Sequence, residues 1–120
     1  MEKFRDLRVW QLAHKLTLNI YSITSSFPAD EKIGLVSQMR RSALSVAANI
    51  VEGTKRRSVN DRRHFHVISD TSLEELKYYL ILSADLGFIN SQLCAELEEM
   101  CREIGGMLGA LTRALKEYPH

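Results

Sequence analysis

The run SVNDRRHFHVISDTSLEELKYYLILSADLG, residues 58–87, decides the fold class. Ser58 followed three residues later by Asp61 resembles a capping box, in which side chains satisfy the orphan amides of a helix start. Beyond it Phe65, Ile68, Ser72, Leu76, Leu80 and Ala84 recur every three or four residues, the spacing of one helix face. Gly87 supplies the stop. A helix of this length well exceeds the usual ~11–12 residues, and nothing in the run alternates with period two.

Working outward, the same periodicity recurs on both sides. Toward the N-terminus, Val9, Leu12, Ala13, Leu16, Ile20, Ile23 and Phe27 form one apolar stripe that Pro28 ends, because proline cannot continue the helical ladder. Asp30 is positioned to cap a second helix carrying Val36, Met39, Ala43, Val46, Ala47 and Ile50. Gly53 marks its expected end, with Lys55, Arg56 and Arg57 where the helix dipole favours cations. Past Gly87, Asn90 or Ser91 caps a fourth helix with Leu93, Leu97, Met100, Ile104, Met107, Leu111, Leu115 and Tyr118 in step. The reading is therefore all-α: one domain over residues 1–120, with helices at about 7–26, 32–54, 58–87 and 90–118. Similar lengths and short connections favour an antiparallel up-down-up-down four-helix bundle.

Two features ask for more. The third helix carries Leu73, Leu76, Tyr78, Tyr79, Leu80, Ile81 and Leu82, apolar nearly all round. Either it is the most central helix or it buries a second face against another subunit. Gly105, Gly106 and Gly109 sit inside the fourth helix at a cost of about 1 kcal/mol each, for which close helix-helix approach is the expected compensation.

Composition excludes several classes. Hydrophobic residues at 45% and charged residues at 26% rule out a disordered or low-complexity chain. No apolar stretch reaches the ~20 residues that a bilayer needs, so no membrane association is expected. The mixed charges of Met1–Asp6 do not resemble a secretory signal. Cys94 and Cys101 would lie about 10.5 Å apart along one helix, too far for a disulfide. A reduced, cytoplasmic protein is the expectation.

Chemistry-bearing constellations are sparse. A di-iron bundle wants Glu-x-x-His on two helices, and no such pair of motifs exists among His14, His64, His66 and His120; the cysteines have no partners at zinc spacing. No metal, no cofactor and no catalytic residue is expected. A small helical enzyme of the chorismate mutase type would use basic side chains to hold a dianion. Arg40 and Arg41 imitate that requirement without a second basic helix to complete it.

Charge is the informative signal. Residues 40–66 hold seven cations (Arg40, Arg41, Lys55, Arg56, Arg57, Arg62 and Arg63) against two acids, whereas residues 67–120 hold four against nine. That split reads as a basic face on an acidic body, suited to phosphate contact. Solvated residues at a helix junction would give the same count. Asn49 and Glu52, one turn apart on an otherwise apolar helix, read as bracing groups in preference to a ligand site.

The run EKIGLVSQMRRSALSVAANIVEG, residues 31–53, resembles the signature of the four-helix-bundle proteins encoded in intervening sequences of bacterial 23S ribosomal RNA genes. Phe4–Trp10, Thr71–Leu76 and Leu86-Gly87 extend the resemblance over nearly the whole chain. The specific block is Ser45 with Asn49, Glu52 and Gly53. Ala47 departs from it, standing where the family often has proline. The resemblance implies a bundle assembled as a cyclic homopentamer with no assigned enzymatic activity. A similar protein is the accessory subunit of diversity-generating retroelements, where a basic pentamer engages a reverse transcriptase and nucleic acid. Gln38, Arg41, Asn49 and Glu52 match the family's polar positions, which carry no established chemistry.

Two functions follow as expectations. The first is binding of RNA or DNA through Arg40, Arg41, Lys55, Arg56, Arg57, Arg62 and Arg63, with Gln38, Ser45, Asn49, Glu52 and Gly53 as a structural polar motif. The second is a protein-protein adaptor whose specific candidate partner is a reverse transcriptase.

Overall fold

The computed structural model describes residues 3–116. Four helices account for most of them: α1 (Arg8–Thr24), α2 (Ser37–Thr54), α3 (Val59–Asp85) and α4 (Ser91–Arg113), with no strand among the described residues. A 3-10 turn at Lys3–Asp6 precedes α1, and a 3-10 turn at Ala29–Glu31 runs into a π-helical turn at Lys32–Val36 ahead of α2. Each helix packs on two neighbours, in the order α1, α2, α3, α4 and back to α1, giving a helical bundle of 53 × 24 × 23 Å. Leu16, Ile20, Met39, Val46, Ile50, Leu76, Leu80 and Ile104 fill its axis with no more than 1% of their surface exposed.

The helix ends follow from local chemistry. Ser58 caps α3 by accepting the Asp61 amide at 3.0 Å, and Asn90 caps α4 by accepting the Leu93 amide at 2.8 Å. At the end of α3, Gly87 adopts φ 80°, and the Gly87 and Phe88 amides bond the Ala84 and Ser83 carbonyls. This is the Schellman arrangement, which a side chain at Gly87 would strain. The last turn of α1 has no such glycine. Instead the hydroxyls of Thr24, Ser25 and Ser26 donate to the Ile20, Ser22 and Ile23 carbonyls.

The structure corrects several sequence expectations. Asp30 does not cap α2: it lies inside the 3-10 turn, and the approach to α2 carries no side-chain cap. The Pro28 carbonyl accepts the Glu31 amide at 2.9 Å, so Pro28 holds the cap position of that tight turn, two residues before Asp30. Gly53 stands one residue before the end of α2 at Thr54, where the helix was expected to end, but it is itself helical and buried and makes no left-handed stop. Among the α4 glycines, close approach holds at Gly105, where an added methyl would meet Leu73 at 3.5 Å, whereas Gly106 faces open space. Tyr118 lies outside the described residues. The apolar surplus of α3 divides: Leu73, Leu76 and Leu80 are core, Tyr79 and Leu82 are half-buried, and Tyr78 and Ile81 remain exposed.

Small polar residues set the spacing between α2 and α3. Ser69 donates to the Val46 carbonyl at 2.8 Å, and Ser72 donates to the Ser45 hydroxyl at 2.7 Å. The His66 ring lies against α2 at Gly53, where an added methyl would stand 3.5 Å from it, an ordinary contact distance. Short side chains at a seam let helix axes approach, since interaxial distance is set by what lies between. Leucine, isoleucine and methionine fill the α1/α4 seam instead, and that pairing is the loosest of the four.

Candidate nucleic-acid interface

The C-terminus of α2, the turn Lys55–Arg57 and the first turns of α3 form one corner of the bundle. Lys55, Arg56, Arg57 and Arg63 are all exposed there. Arg56 is held in place: it pairs with Glu52 at 3.3 Å and lies over the Phe65 ring, 4.8 Å from its centroid. With both partners about half exposed, that ion pair contributes little to stability, but it presets the guanidinium. Arg63 donates to Asn60 one turn back at 3.2 Å. His64 is exposed beside Phe65, the ring centroids 5.3 Å apart.

The seven cations do not form a single face. Arg62 is buried, with 6% of its surface exposed, and its guanidinium donates to the backbone carbonyls of Ser58, Arg57 and Lys116. It ties the α2–α3 turn to the chain beyond α4 and is not placed to meet a phosphate, a correction to the expected set. Its position one turn after Ser58, on the inward side of α3, is what turns it from solvent. Arg40 is also engaged: Nε donates to Thr24 Oγ1 at 3.0 Å, Nη2 to the Tyr21 carbonyl at 3.2 Å, and the guanidinium lies 4.5 Å from the Tyr21 ring centroid. It closes the last turn of α1. Arg41 is exposed, but fourteen residues before Lys55 on the same helix puts it about 21 Å from the corner. The bringing together therefore concerns Lys55, Arg56, Arg57 and Arg63, and it leaves out Arg40, Arg41 and Arg62.

The polar motif is a stripe along α2. Gln38 is exposed, and Ser45, Asn49 and Glu52 are half-buried. Asn49 Nδ2 donates to the Ser45 carbonyl at 2.8 Å and the Ser45 hydroxyl at 3.1 Å, and Ser72 joins them from α3. These bonds satisfy one another, so the group braces the α2/α3 seam. Glu52 holds Arg56, and Gly53 accommodates His66.

Periodicity gave no sign of the buried junction behind the corner. His66 is 5% exposed, with Nδ1 2.9 Å from Thr112 Oγ1. The Thr112 hydroxyl already donates to the Leu108 carbonyl at 2.8 Å, so it accepts from His66, which assigns the ring proton to Nδ1. Burial, and then the nearby Arg62 charge, hold His66 below its ordinary value of 6.5. Burial likewise pushes the thiol of Cys94 up to about 11, helped by Glu98, and that of Cys101 up to about 12. No helix among the described residues is long and apolar enough to cross a membrane.

Comparison with known proteins adds two findings. A family model described as 23S rRNA-intervening sequence protein matches residues 5–110. The structure is also similar to a crystal structure of a protein with unknown function from the S23 ribosomal protein family of Bacteroides thetaiotaomicron. The TM-score is 0.81 at 20% identity, over 88% of this chain and 96% of that one. At that identity the likeness shows the fold alone. No curated protein matches.

Proposed function

The chain belongs to the 23S rRNA-intervening sequence protein family, and from that premise we propose that it is a non-enzymatic, oligomeric up-down-up-down bundle that binds nucleic acid at the α2–α3 corner. One observation carries the reading: Lys55, Arg56, Arg57 and Arg63 are exposed together within nine residues of chain, at the positively polarised start of α3. Cations and a helix N-terminus at one place favour phosphate oxygens, and such contacts are independent of sequence. A cyclic assembly, a homopentamer by family resemblance, multiplies the corner by its copy number. Exposed Leu18, Leu44, Val67, Tyr78 and Ile81 support burial between subunits.

The test is charge reversal at Arg56 and Arg57. Both side chains are exposed, so the double variant R56E/R57E folds as the parent does. Its affinity for a labelled structured RNA falls, and the slope of log affinity against log salt drops by about one for each cation lost. Unchanged affinity and slope overturn the reading. A protein partner retained through nuclease and high salt, with no RNA bound, replaces it with the adaptor reading, for which a reverse transcriptase is the candidate.

A further inference from the structure

The loosest seam of the bundle is also an open groove. Between α1 and α4, Leu12 and Ile23 face Leu93 and Met100, all four only half-buried. Leu12 to Ile23 spans eleven residues, about 16 Å of helix, or three turns of any helix laid alongside. Leu93 and Met100 are one heptad apart, the repeat at which a docked helix places its knobs. The groove is asymmetric in charge. On the α4 side Glu96, Glu99 and Glu103 follow at three and four residues along the rim, while Lys15 stands on the α1 side. Glu99 is occupied by Arg102 at 2.7 Å and Glu96 accepts from Gln92 Nε2 at 3.4 Å, while no ion pair with a described cation holds Glu96 or Glu103. The core does not need this rim, since the apolar contacts beneath it are already made by Leu97 and Ile104.

We propose that the α1/α4 groove docks an amphipathic helix of a partner protein, apolar on one face and lysine- or arginine-rich along the flank that meets α4. Leu12, Ile23, Leu93 and Met100 offer apolar anchor points along three turns, interrupted by Asn19, whose amide donates to Met100 Sδ at 3.8 Å. Anchors so spaced match helix-in-groove recognition at i, i+3 or i+4, and i+7. The acids fix which flank must be basic and hence the direction of docking, because rim charges select partners more than they add affinity. This surface lies apart from the basic corner and does not rest on the nucleic-acid reading.

The probe is a fluorescein-labelled synthetic 18-residue helix with leucines at heptad a and d positions and lysines along one flank. Its anisotropy is titrated with the full chain. The expected result is saturable binding that a scrambled peptide of equal composition lacks. E96K/E103K, at two exposed positions, weakens binding about tenfold, the sum of two rim pairs turned repulsive. A peptide with glutamates in place of the lysines restores binding to that variant. R56E/R57E leaves peptide binding intact, and E96K/E103K does not weaken RNA binding, so the two surfaces fail independently. Equal binding of the scrambled peptide, or an unchanged affinity of E96K/E103K, overturns the proposal. So does self-association abolished alike by E96K/E103K and by R56E/R57E, which would place a second copy's basic corner in the groove.

Discussion

Acid should loosen this bundle at a defined point. His66 is buried where α2, α3 and α4 meet, its Nδ1–H donated to Thr112 and its other nitrogen turned toward Gly53. Protonation would add an N–H at Nε2, on the edge of the ring that faces Gly53, and a positive charge near Arg62. The folded protein thus holds His66 neutral below 6.5, the value at which the unfolded chain takes up its proton. The unfolded state then binds more protons, so stability is full above 6.5 and falls as the pH drops from 6.5 toward the lower folded value. One proton sets the ceiling: lowering the pH from about 7.5 to about 5.5 removes at most about 1.4 kcal/mol. Urea unfolding at the two pH values measures it, and His66→Gln supplies the control. That variant keeps a donor for Thr112 and has nothing to titrate. The difference between the two proteins should shrink with acid by up to this amount. An identical pH dependence in His66→Gln, or a parent whose stability rises on acidification, refutes the assignment.

Three further outcomes follow from the packing. Gly53→Ala should stabilise by about 0.5–1 kcal/mol, because the added methyl meets His66 and Phe65 at 3.5 and 3.6 Å, ordinary contact distances, within a helix; thermal unfolding reads the gain, and a lower midpoint contradicts it. Arg62→Met should cost about 1–2 kcal/mol, since the Arg57 and Lys116 carbonyls lose the guanidinium donor while the Ser58 carbonyl keeps the backbone amide of residue 62; denaturant unfolding within 0.5 kcal/mol of the parent would refute that role. Cys101, with its thiol pushed up to about 12 by burial, should resist a thiol reagent at pH 8 until the protein is unfolded; labelling of the native protein at the unfolded rate contradicts this placement.

What the sequence made legible was whatever repeats along one helix. The Ser58 and Asn90 caps and the Gly87 stop depend on local spacing and stand in the structure. Of the α3 stripe, Ser72, Leu76 and Leu80 are buried while Phe65, Ile68 and Ala84 are half-buried, the buried face toward the start of α3 being Arg62, His66 and Ser69 instead. Gly53 marked the end of α2 to within one residue but gave no sign of the ring packed on it, because glycine at a helix end and glycine under a packed ring look alike until the neighbouring helix is known. Arg62 misled for the same reason. Counting charges cannot separate a guanidinium serving three carbonyls from one facing water, and only the fold of the α2–α3 turn decides it. Arg40 and Arg41 are adjacent in sequence, yet one closes α1 and the other is exposed, because successive helical positions point about 100° apart. The His66–Thr112 bond joins residues on different helices, so no periodicity announces it.

Whether the α2–α3 corner binds nucleic acid through its exposed cations is read directly by one titration. Fluorescence anisotropy of a labelled structured RNA, repeated over a range of salt concentrations, gives the slope of log affinity against log salt. Four exposed cations contribute a slope of roughly 3 to 4 per engaged subunit, at about 0.7 to 0.9 for each phosphate neutralised. A slope of at least that steepness is the predicted result. Absence of binding at low salt would contradict the claim and leave the corner an ordinary solvated helix junction.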